Sequence, residues 1–392
     1  MIYLGADNIA KKIKNGYIGV DGIARKIKKA YIGVDGIARI CLQRSLQYYG
    51  TATDLSKARS LLASTTVGDY ALFGGGSPSE NGYSGIVDAY DKSLTHTTAE
   101  DLSVNRRLLT STTVGDYALF GGGESSAQSG TTHVDAYDKH LTHTIAEDLN
   151  TNRRSLASTT VGDYALFGGG ILGSSTRKPT VDAYDKSLTH TITENLKYAR
   201  DDLGATTVGN FALFGGGWVG QDEVDVYDKS LTHTTIPGLS LRRDIDNGAT
   251  TVGDYALFGG GYYARSSGSW TSTDVVDAYD KHLTHIIPPV LSVARNSLAS
   301  TTVDDYALFC GGGGCYAGGG GSSIDIHSTA DVYDKSLTHT TTTELSVARK
   351  GLIATTVGDY ALFGGGHDDG YSGVGDHGYQ KKTVDVYTVI LK

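Results

Sequence analysis

The chain has 392 residues, of which 39% are hydrophobic and 20% charged, so it contains enough apolar side chains to build a core. Its 53 glycines and 5 prolines are too few for low-complexity disorder. No run of apolar residues approaches the length of a membrane span, which is about 18 residues. The net charge of -9 argues against general binding of nucleic acid, and three cysteines are too few for a disulfide framework.

Charge divides the chain near residue 45. Residues 1–45 carry nine Lys or Arg and three Asp, whereas residues 46–392 carry 25 basic and 40 acidic residues. The first residues contain no apolar stretch of the kind that a secretory signal needs, so we expect no cleaved signal. We predict a basic segment over residues 1–45 and a second domain over residues 46–392.

The basic segment is itself repetitive. Residues 9–22 (IAKKIKNGYIGVDG) and 23–36 (IARKIKKAYIGVDG) repeat with a period of 14, and a partial third copy starts at Ile37. Asn-Gly and Asp-Gly pairs between the apolar runs predict hairpin turns, and hence a small meander of short strands. Because about 40 residues bury little apolar surface, we expect it to need a partner, either the second domain or copies of itself. A flexible basic leader is the alternative.

A longer repeat dominates residues 46–392. The sequence DYALFGGG, with small variations, occurs seven times at spacings of 47, 47, 47, 44, 51 and 54 residues. A VDAYD element follows each copy, and an LTH element follows six of them. Each unit therefore reads as four short strands, ASTTVG, YALF, VDAYD and LTHTTAEDL, which predicts one blade of a β-propeller. The glycines predict close approach of backbones near the ring axis. The first aromatic residues are Tyr70, Tyr117, Tyr164, Phe211, Tyr255, Tyr306 and Tyr360.

The two ends of the repeat region complement each other. The seventh unit stops at VDVYTVILK without an LTH strand, and residues 46–59 align with residues 93–106, which belong to the missing part of a unit. Residues 46–59 should therefore supply the outer strand of blade seven, and ring closure then removes an exposed sheet edge. We predict an all-β, seven-bladed β-propeller closed by an N-terminal outer strand and preceded by a small β-hairpin repeat segment.

The unit resembles the kelch repeat over about residues 46–392. In the first unit the resemblance rests on Gly74, Gly75, Tyr90 and the residue six positions later, His96. The kelch pattern has tryptophan at that last position, so the histidine is a systematic departure. The resemblance implies a kelch-like seven-bladed propeller. The six histidines are His96, His143, His190, His233, His285 and His339.

The repeated polar residues are interpreted as structural. A catalytic group is normally unique, because one asymmetric substrate needs one acid and one base in defined places. We therefore nominate no catalytic residue. We expect the repeated arginines to satisfy carbonyls or carboxylates between blades, and the aspartate of each VDAYD element to be a turn or inter-blade partner. The histidines could suggest metal, but related positions in neighbouring blades should lie far apart. The arginines are Arg59, Arg106, Arg153, Arg200, Arg243, Arg295 and Arg349.

Between the glycine triplet and the VDAYD strand every unit differs. These second-to-third-strand loops should emerge on one rim, and a rigid scaffold with one face of dissimilar loops is typical of a binding surface. Both tryptophans and several tyrosines lie there, which favours recognition of a carbohydrate or a protein. The alternative is that they pack on their own blade or cover the pore. The ligand-binding candidates are Trp218, Tyr262, Tyr263, Arg265, Trp270, Tyr316, Asp368, Asp369 and Tyr371.

Two loop features remain open. A cation could bind in the last loop, although the spacing there matches no specific metal motif, so we nominate no metal site. Cys310 and Cys315 are close enough in sequence to pair, but nothing indicates secretion. The acidic and histidine residues of the last loop are His367, Asp368, Asp369, Asp376 and His377.

The basic segment resembles short N-terminal repeats of phage and prophage structural proteins of Gram-positive bacteria, over residues 9–42 with IARKIKKAYIGV as the core. The resemblance implies a virion tail or fibre protein, in which residues 1–45 bind other virion proteins and the loops bind a host surface glycan or protein. We expect localisation in the virion, no cofactor, no nucleic-acid partner and no membrane insertion. The alternatives are an intracellular kelch interaction module and a glycan-active propeller enzyme. A homo-oligomer is also left open.

Overall fold

The structure is a computed structural model, and it describes residues 3–6, 9–12, 17–20, 23–26, 29–34, 37–79, 82–126, 129–218, 222–264, 270–316, 323–368 and 379–391. For residues up to 43, and for residues 126, 129, 315, 316, 323, 324 and 391, it describes the backbone alone. The regular secondary structure in this part of the chain consists of β-strands. Among the residues described, no helix is long and apolar enough to cross a membrane.

Seven antiparallel sheets form the blades, and in each the first strand lies innermost. Blade one contains β7 (Ala63–Val67), β8 (Tyr70–Gly74), β9 (Val87–Asp91) and β10 (His96–Thr98). Blade two contains β11 (Thr110–Val114), β12 (Tyr117–Gly121), β15 (Val134–Asp138) and β16 (His143–Ile145). Blade three contains β17 (Ala157–Val161), β18 (Tyr164–Gly168), β21 (Val181–Asp185) and β22 (His190–Ile192).

The remaining blades repeat this order. Blade four contains β23 (Gly204–Val208), β24 (Phe211–Gly215), β25 (Val224–Asp228) and β26 (His233–Ile236). Blade five contains β27 (Ala249–Val252), β28 (Tyr255–Gly259), β31 (Val276–Asp280) and β32 (His285–Ile286). Blade six contains β33 (Ala299–Val303), β34 (Tyr306–Cys310), β37 (Ala330–Asp334) and β38 (His339–Thr341). Blade seven contains β39 (Ile353–Val357), β40 (Tyr360–Gly364), β41 (Val384–Leu391), β6 (Ile37–Thr51) and β5 (Lys29–Val34).

The N-terminal strand closes the ring as the sequence predicts. β6 pairs antiparallel with β41, with Asp385 opposite Thr51 and Leu391 opposite Arg44. β6 then continues into a hairpin with β5, so the predicted boundary at residue 45 falls inside one continuous strand. Two further hairpins precede it, β1 (Tyr3–Ala6) with β2 (Ile9–Lys12) and β3 (Tyr17–Val20) with β4 (Ile23–Lys26).

Two threonines on each innermost strand link the blades around the axis. The hydroxyl of the first threonine lies 2.7–3.0 Å from the hydroxyl of the second threonine in the next blade. Buried hydroxyls need such partners, so this belt explains the repeated Thr-Thr pair. The pairs are Thr65–Thr113, Thr112–Thr160, Thr159–Thr207, Thr206–Thr251, Thr250–Thr302, Thr301–Thr356 and Thr355–Thr66, and the last closes the circle.

The first glycine of the triplet is required by the neighbouring blade, and not by crowding at the axis as the sequence suggested. A Cβ on Gly121 would lie 2.6 Å from the ring of Phe167 in the next blade, closer than real Cβ contacts come. The same Gly–Phe contact occurs in every blade except blade six. In blade seven it closes the circle, because Gly364 faces Phe73 of blade one. Blade six has Cys310 at this position, and its buried side chain joins a core cluster that includes Phe363.

A connector is the segment between the outer strand of one blade and the innermost strand of the next. In blades one to six a buried arginine, a buried aspartate and a half-buried histidine tie this connector to the blade that follows it. In blade one Arg59 donates to the Phe73 carbonyl at 2.9 Å and pairs with Asp88, which also lies 2.7 Å from the His96 ring. The His96 ring packs on Tyr90 with 5.0 Å between centroids. Arg59 and Asp88 are fully buried, and the Asp88 carboxylate also accepts the Ser56 amide at 2.9 Å. The repeated arginines thus bond to a carbonyl and a carboxylate, as the sequence suggested, and the LTH histidines bond to the aspartates and pack on the tyrosines.

The outer strand is shorter than predicted, because LTH begins in a turn. Leu94 has φ of 62° and donates its amide to the Asp91 carbonyl, and the Asp91 carboxylate accepts the Ser93 and Thr95 amides. The strand therefore starts at His96 and not at Leu94, and it ends at Thr98. Corresponding leucines in the next five blades have φ between 59° and 65°.

Strand direction gives the ring two distinct faces. The turn face carries the first-to-second and third-to-fourth strand turns, and the loop face carries the variable loops and the connectors between blades. The described ends of all seven variable loops therefore lie on one face of the ring. Arg44 lies at the turn face, where it pairs with Asp304 and its carbonyl accepts the Tyr306 hydroxyl at 3.2 Å. The N-terminal segment thus leaves the ring opposite the variable loops.

Candidate functional site

Each variable loop starts on the connector of its own blade. The residue after the repeated arginine pairs through its backbone with the first residue of the loop, as Arg107 does with Glu124 and Asp244 with Tyr262. In blade four the Trp218 amide donates to the Asp201 carbonyl at 2.8 Å. Connector residues at this position therefore belong to the loop face, and they vary between repeats as the loops do.

Several loops form strands of their own. Blade two has β13 (Glu124–Ser126) with β14 (Ser129–Gly130), and blade three has β19 (Ile171–Leu172) with β20 (Thr176–Arg177). The loops of blades five and six join into one sheet, in the order β29 (Tyr262–Ala264), β30 (Trp270–Ser272), β35 (Gly313–Tyr316) and β36 (Ser323–Ile326). In this sheet β30 of the blade-five hairpin pairs with β35 of the blade-six loop.

An aromatic stack crosses blades three, four and five. The Trp218 and Trp270 rings lie parallel, 4.3 Å apart and 7° from coplanar, and Tyr262 stacks on Trp270 at 5.2 Å. The Arg177 guanidinium lies 5.9 Å from the Trp218 ring and donates to the Asp201 carboxylate at 2.6 Å. We call Arg177, Trp218, Trp270 and Tyr262 the aromatic stack. All four side chains are half-buried, so part of each reaches solvent.

The structure thus brings together three of the predicted ligand-binding residues, Trp218, Trp270 and Tyr262. Tyr263 is half-buried in β29, beside Tyr262. Asp368 is in the blade-seven loop, where it pairs with Lys381 at 2.5 Å and accepts the Tyr379 amide at 2.8 Å. Although burial opposes ionisation, these two contacts lower the pKa of Asp368. The side chain of Tyr316, and the whole of Arg265, Asp369 and Tyr371, lie outside the described residues.

The last loop and the cysteines give limited information. Of the residues considered for a cation, only His367 and Asp368 belong to the described part of the chain, and no metal-binding cluster occurs among the residues described. Cys310 has a free, buried thiol, and burial raises the pKa of that thiol. The side chains of Cys41 and Cys315 lie outside the described residues.

The sequence interpretation missed four carboxyl groups beneath the stack. Asp201 and Asp202 lie on the blade-four connector, and Asp244 and Asp246 lie on the blade-five connector. We call these four the acidic cluster. Burial, followed by the charges of Asp246 and Asp201, raises the pKa of Asp202 well above its ordinary value. Burial and the other three carboxylates raise the pKa of Asp244 to about 9. Burial and Asp201 raise the pKa of Asp246 to about 6.

The acidic cluster borders the mouth of the central channel. A cavity of about 340 Å³ opens there, with Leu61 and Leu108 on blades one and two and with Asp202 and Asp246 on blades four and five. Backbone hydrogen bonds run from connector to connector around this mouth, for example from the Asp202 amide to the Ser155 carbonyl at 3.1 Å. Asp202 and Asp246 have φ of 53° and 49°, a left-handed conformation that aspartate tolerates better than most residues.

Chemically, this part of the loop face offers aromatic edges, a cation and carboxyl groups in two protonation states. Asp244, with its raised pKa, can donate a hydrogen bond at neutral pH, whereas Asp246 changes its charge close to neutral pH. Such a set of aromatic and convergent polar groups beside a cavity suits a polar ligand with an apolar face.

The comparisons with known proteins bear on the fold. No protein-family model and no curated protein matches the chain. The solved structure of YjhT, also propeller-like, aligns with a TM-score of 0.57 and 13% sequence identity, over 74% of this chain and 99% of that chain. In all, 574 solved chains match, so the likeness identifies a widespread fold and carries no activity to this chain.

Proposed function

We propose that this protein is a phage or prophage virion protein of the tail or fibre, whose kelch-like ring binds a host surface receptor through its loop face without covalent chemistry. The receptor is a glycan of the bacterial surface. The N-terminal segment attaches the ring to other virion proteins. The observation that carries the proposal is the aromatic stack, which assembles side chains from three blades on the one face where the repeats differ.

The arrangement of the two faces supports this proposal. The N-terminal segment leaves from the turn face, so attachment there keeps the loop face directed outward. Aromatic rings beside carboxylates and an arginine are suited to sugars, whose C–H faces pack on rings and whose hydroxyls need polar partners. Several copies on one particle would strengthen a weak single contact by multivalency.

A matched pair of variants tests the proposed function. Labelled full-length protein is incubated with purified cell walls of Gram-positive bacteria and with a glycan array. Substituting both Trp218 and Trp270 with alanine should reduce binding at least about 10-fold, since truncating central aromatic residues costs 2 kcal/mol or more at hot spots. Tyr49→Ala removes an aromatic side chain that is 57% exposed in the outer strand of blade seven, and it should bind like the parent protein. Unchanged binding by the tryptophan variant would refute the assignment.

A glycan-active enzyme is the second candidate, and the acidic cluster is the observation that favours it. Carboxyl groups with separated pKa values can serve as general acid and general base. Incubation with the same cell walls, followed by analysis of released sugars, tests this candidate. Release that is lost in Asp246→Asn would support catalysis, and no release would support binding alone.

A further inference from the structure

Two arginines on the loop face share one carboxylate. Arg107 and Arg154 lie on the blade-two and blade-three connectors, and both are half-buried, so part of each reaches solvent. Arg107 lies 3.1 Å from one carboxylate oxygen of Glu124, and Arg154 lies 2.9 Å from the other. Tyr83, from the blade-one loop, places its ring 5.1 Å from the Arg107 guanidinium and donates its hydroxyl to Glu124 at 3.3 Å. We call these four residues the arginine group.

The arginine group carries more positive than negative charge. One carboxylate neutralises one guanidinium, and Glu124, which is 4% exposed, contacts two. The carboxyl of Asp202 also interacts with Arg154, but burial raises the pKa of Asp202 well above its ordinary value, which makes it a weaker counter-ion. Residues 46–392 as a whole have 25 basic and 40 acidic residues. The group is thus a local exception on an acidic ring.

The fold does not require arginine at these two positions. The repeated arginine one residue earlier already bonds to the strands of each blade, as Arg106 does to the Phe120 carbonyl at 2.9 Å. The next position varies from blade to blade, like the loops that start beside it. The other five connectors have Ser60, Asp201, Asp244, Asn296 and Lys350 there.

The arginine group and the aromatic stack lie on consecutive connectors. The Asp202 amide donates to the carbonyl of Ser155, the residue after Arg154, at 3.1 Å. On the same connector as Asp202, Asp201 accepts a hydrogen bond from Arg177 of the aromatic stack at 2.6 Å. The two groups can therefore contact neighbouring parts of one ligand.

We propose that the arginine group is an oxyanion-binding subsite, and that the surface glycan bound by the loop face is an anionic one. A sugar of the glycan packs on the aromatic stack, and a phosphate or carboxylate of the same chain pairs with Arg107 and Arg154. Guanidinium groups suit this role, because their fixed fork of N–H donors matches the oxygens of both anions. Glu124 positions the two arginines and competes with the ligand for them. This proposal rests on the proposed function, since it names the class of glycan that the same face binds.

A matched series of dextrans tests the proposal with full-length protein. Binding of phosphorylated, carboxymethylated and unmodified dextran is measured at about 0.15 M salt. At least one charged dextran should bind at least about 10-fold more tightly than the unmodified one, and the better of the two identifies the anion. Arg107→Gln combined with Arg154→Gln should remove this preference. Arg242→Gln, which alters an arginine that is 69% exposed on the blade-five connector, should bind like the parent protein.

A gain of binding distinguishes ligand recognition from a structural ion pair. Glu124→Gln keeps the size of the side chain and removes the competing charge, so it should bind the charged dextran about 2–5-fold more tightly. A purely structural role predicts a less stable variant with no gain. Circular dichroism of each variant checks that the ring is folded.

Three outcomes decide between the ideas. Equal binding of the three dextrans by the parent protein would overturn the subsite. So would charged-dextran binding that neither the double variant nor Glu124→Gln alters, because the polyanion would then bind elsewhere, such as on residues 1–45. Purified Gram-positive cell walls separate the subsite from the proposed function. Walls bound equally by the parent protein and the double variant refute the subsite alone, whereas charged dextran bound at the arginine group without any wall binding refutes the proposed function alone.

Discussion

Removal of one buried carboxylate should weaken the whole ring, and Asp225 in blade four is the clearest case. Its carboxylate pairs with the fully buried Arg200, lies 2.7 Å from the His233 ring and accepts the Lys197 amide at 2.8 Å. Arg200 also donates to the Phe214 and Glu223 carbonyls at 3.0 and 2.8 Å, so it cannot turn to solvent without losing them. The substitution Asp225→Ala therefore leaves a buried guanidinium without its counter-ion.

The expected loss is large compared with the stability of an ordinary domain. Breaking a buried ion pair by removing one partner costs about 3–5 kcal/mol, and each further hydrogen bond contributes about 1 kcal/mol. We expect Asp225→Ala to lower the free energy of unfolding by about 5 kcal/mol, against a total of about 5–15 kcal/mol for native proteins. Adding Arg200→Met should recover part of this loss, because no buried charge then remains unpaired.

Urea unfolding followed by far-UV circular dichroism measures the effect. The control is Asp222→Ala, which removes a carboxylate 40% exposed and 3.5 Å from Arg242, and should cost less than about 1 kcal/mol. A loss below about 1 kcal/mol for Asp225→Ala, or no recovery in the double variant, would show that the network does not stabilise the blade as described.

Two further predictions concern packing between blades and attachment of the N-terminal strand. Gly121→Ala should destabilise the ring by about 1–3 kcal/mol because its Cβ would meet the Phe167 ring, and Phe167→Leu should relieve it. Gly314→Ala is the control for thermal unfolding, because its Cβ would meet no atom closer than 3.5 Å and its φ lies outside the left-handed region. Asp304→Asn removes the counter-ion of Arg44 at the turn face, so limited trypsinolysis should cut the N-terminal segment faster than in the parent protein or in Asp254→Asn, which alters an exposed pair in blade five. Equal cleavage rates would show that the Arg44 pair does not hold the strand.

The architecture could be predicted because the sequence of one blade is repeated seven times. The spacing of the repeats determined the number of blades, and the alignment of residues 46–59 with residues 93–106 identified the closing strand. One detail escaped the alignment: a register shift between Val386 and Tyr387 brings Tyr48, and not Tyr49, into the position of the repeated histidine. The Tyr48 hydroxyl donates to Asp385 at 2.7 Å, and burial together with Asp385 raises the pKa of Tyr48 to about 12.

The candidate site was predictable only in part. Loop aromatics identified Trp218, Trp270 and Tyr262, but their mutual stacking depends on the relative twist and height of blades four and five, which no single repeat encodes. Arg177 belongs to a variable loop, but nothing in the sequence indicates that it contacts Asp201 and Trp218. The acidic cluster was missed because it lies on the connectors and not in the loops. Variation in the residues after the repeated arginines, such as Asp201 and Asp244, is the signal that could have revealed it.

The division between repeated and variable residues also separates stability from recognition. The threonine belt, the Gly–Phe contacts and the buried Arg–Asp pairs all lie on the strands or inside the ring, and none of them includes a residue of the aromatic stack. Since the loops take no part in these contacts, their sequences can change without disturbing the contacts that close the ring. The two connectors of the acidic cluster are the exception. Asp202 and Asp246 line the channel mouth, whereas the adjacent Asp201 and Asp244 bond to residues of the aromatic stack, so these connectors contribute both to the ring and to the loop face.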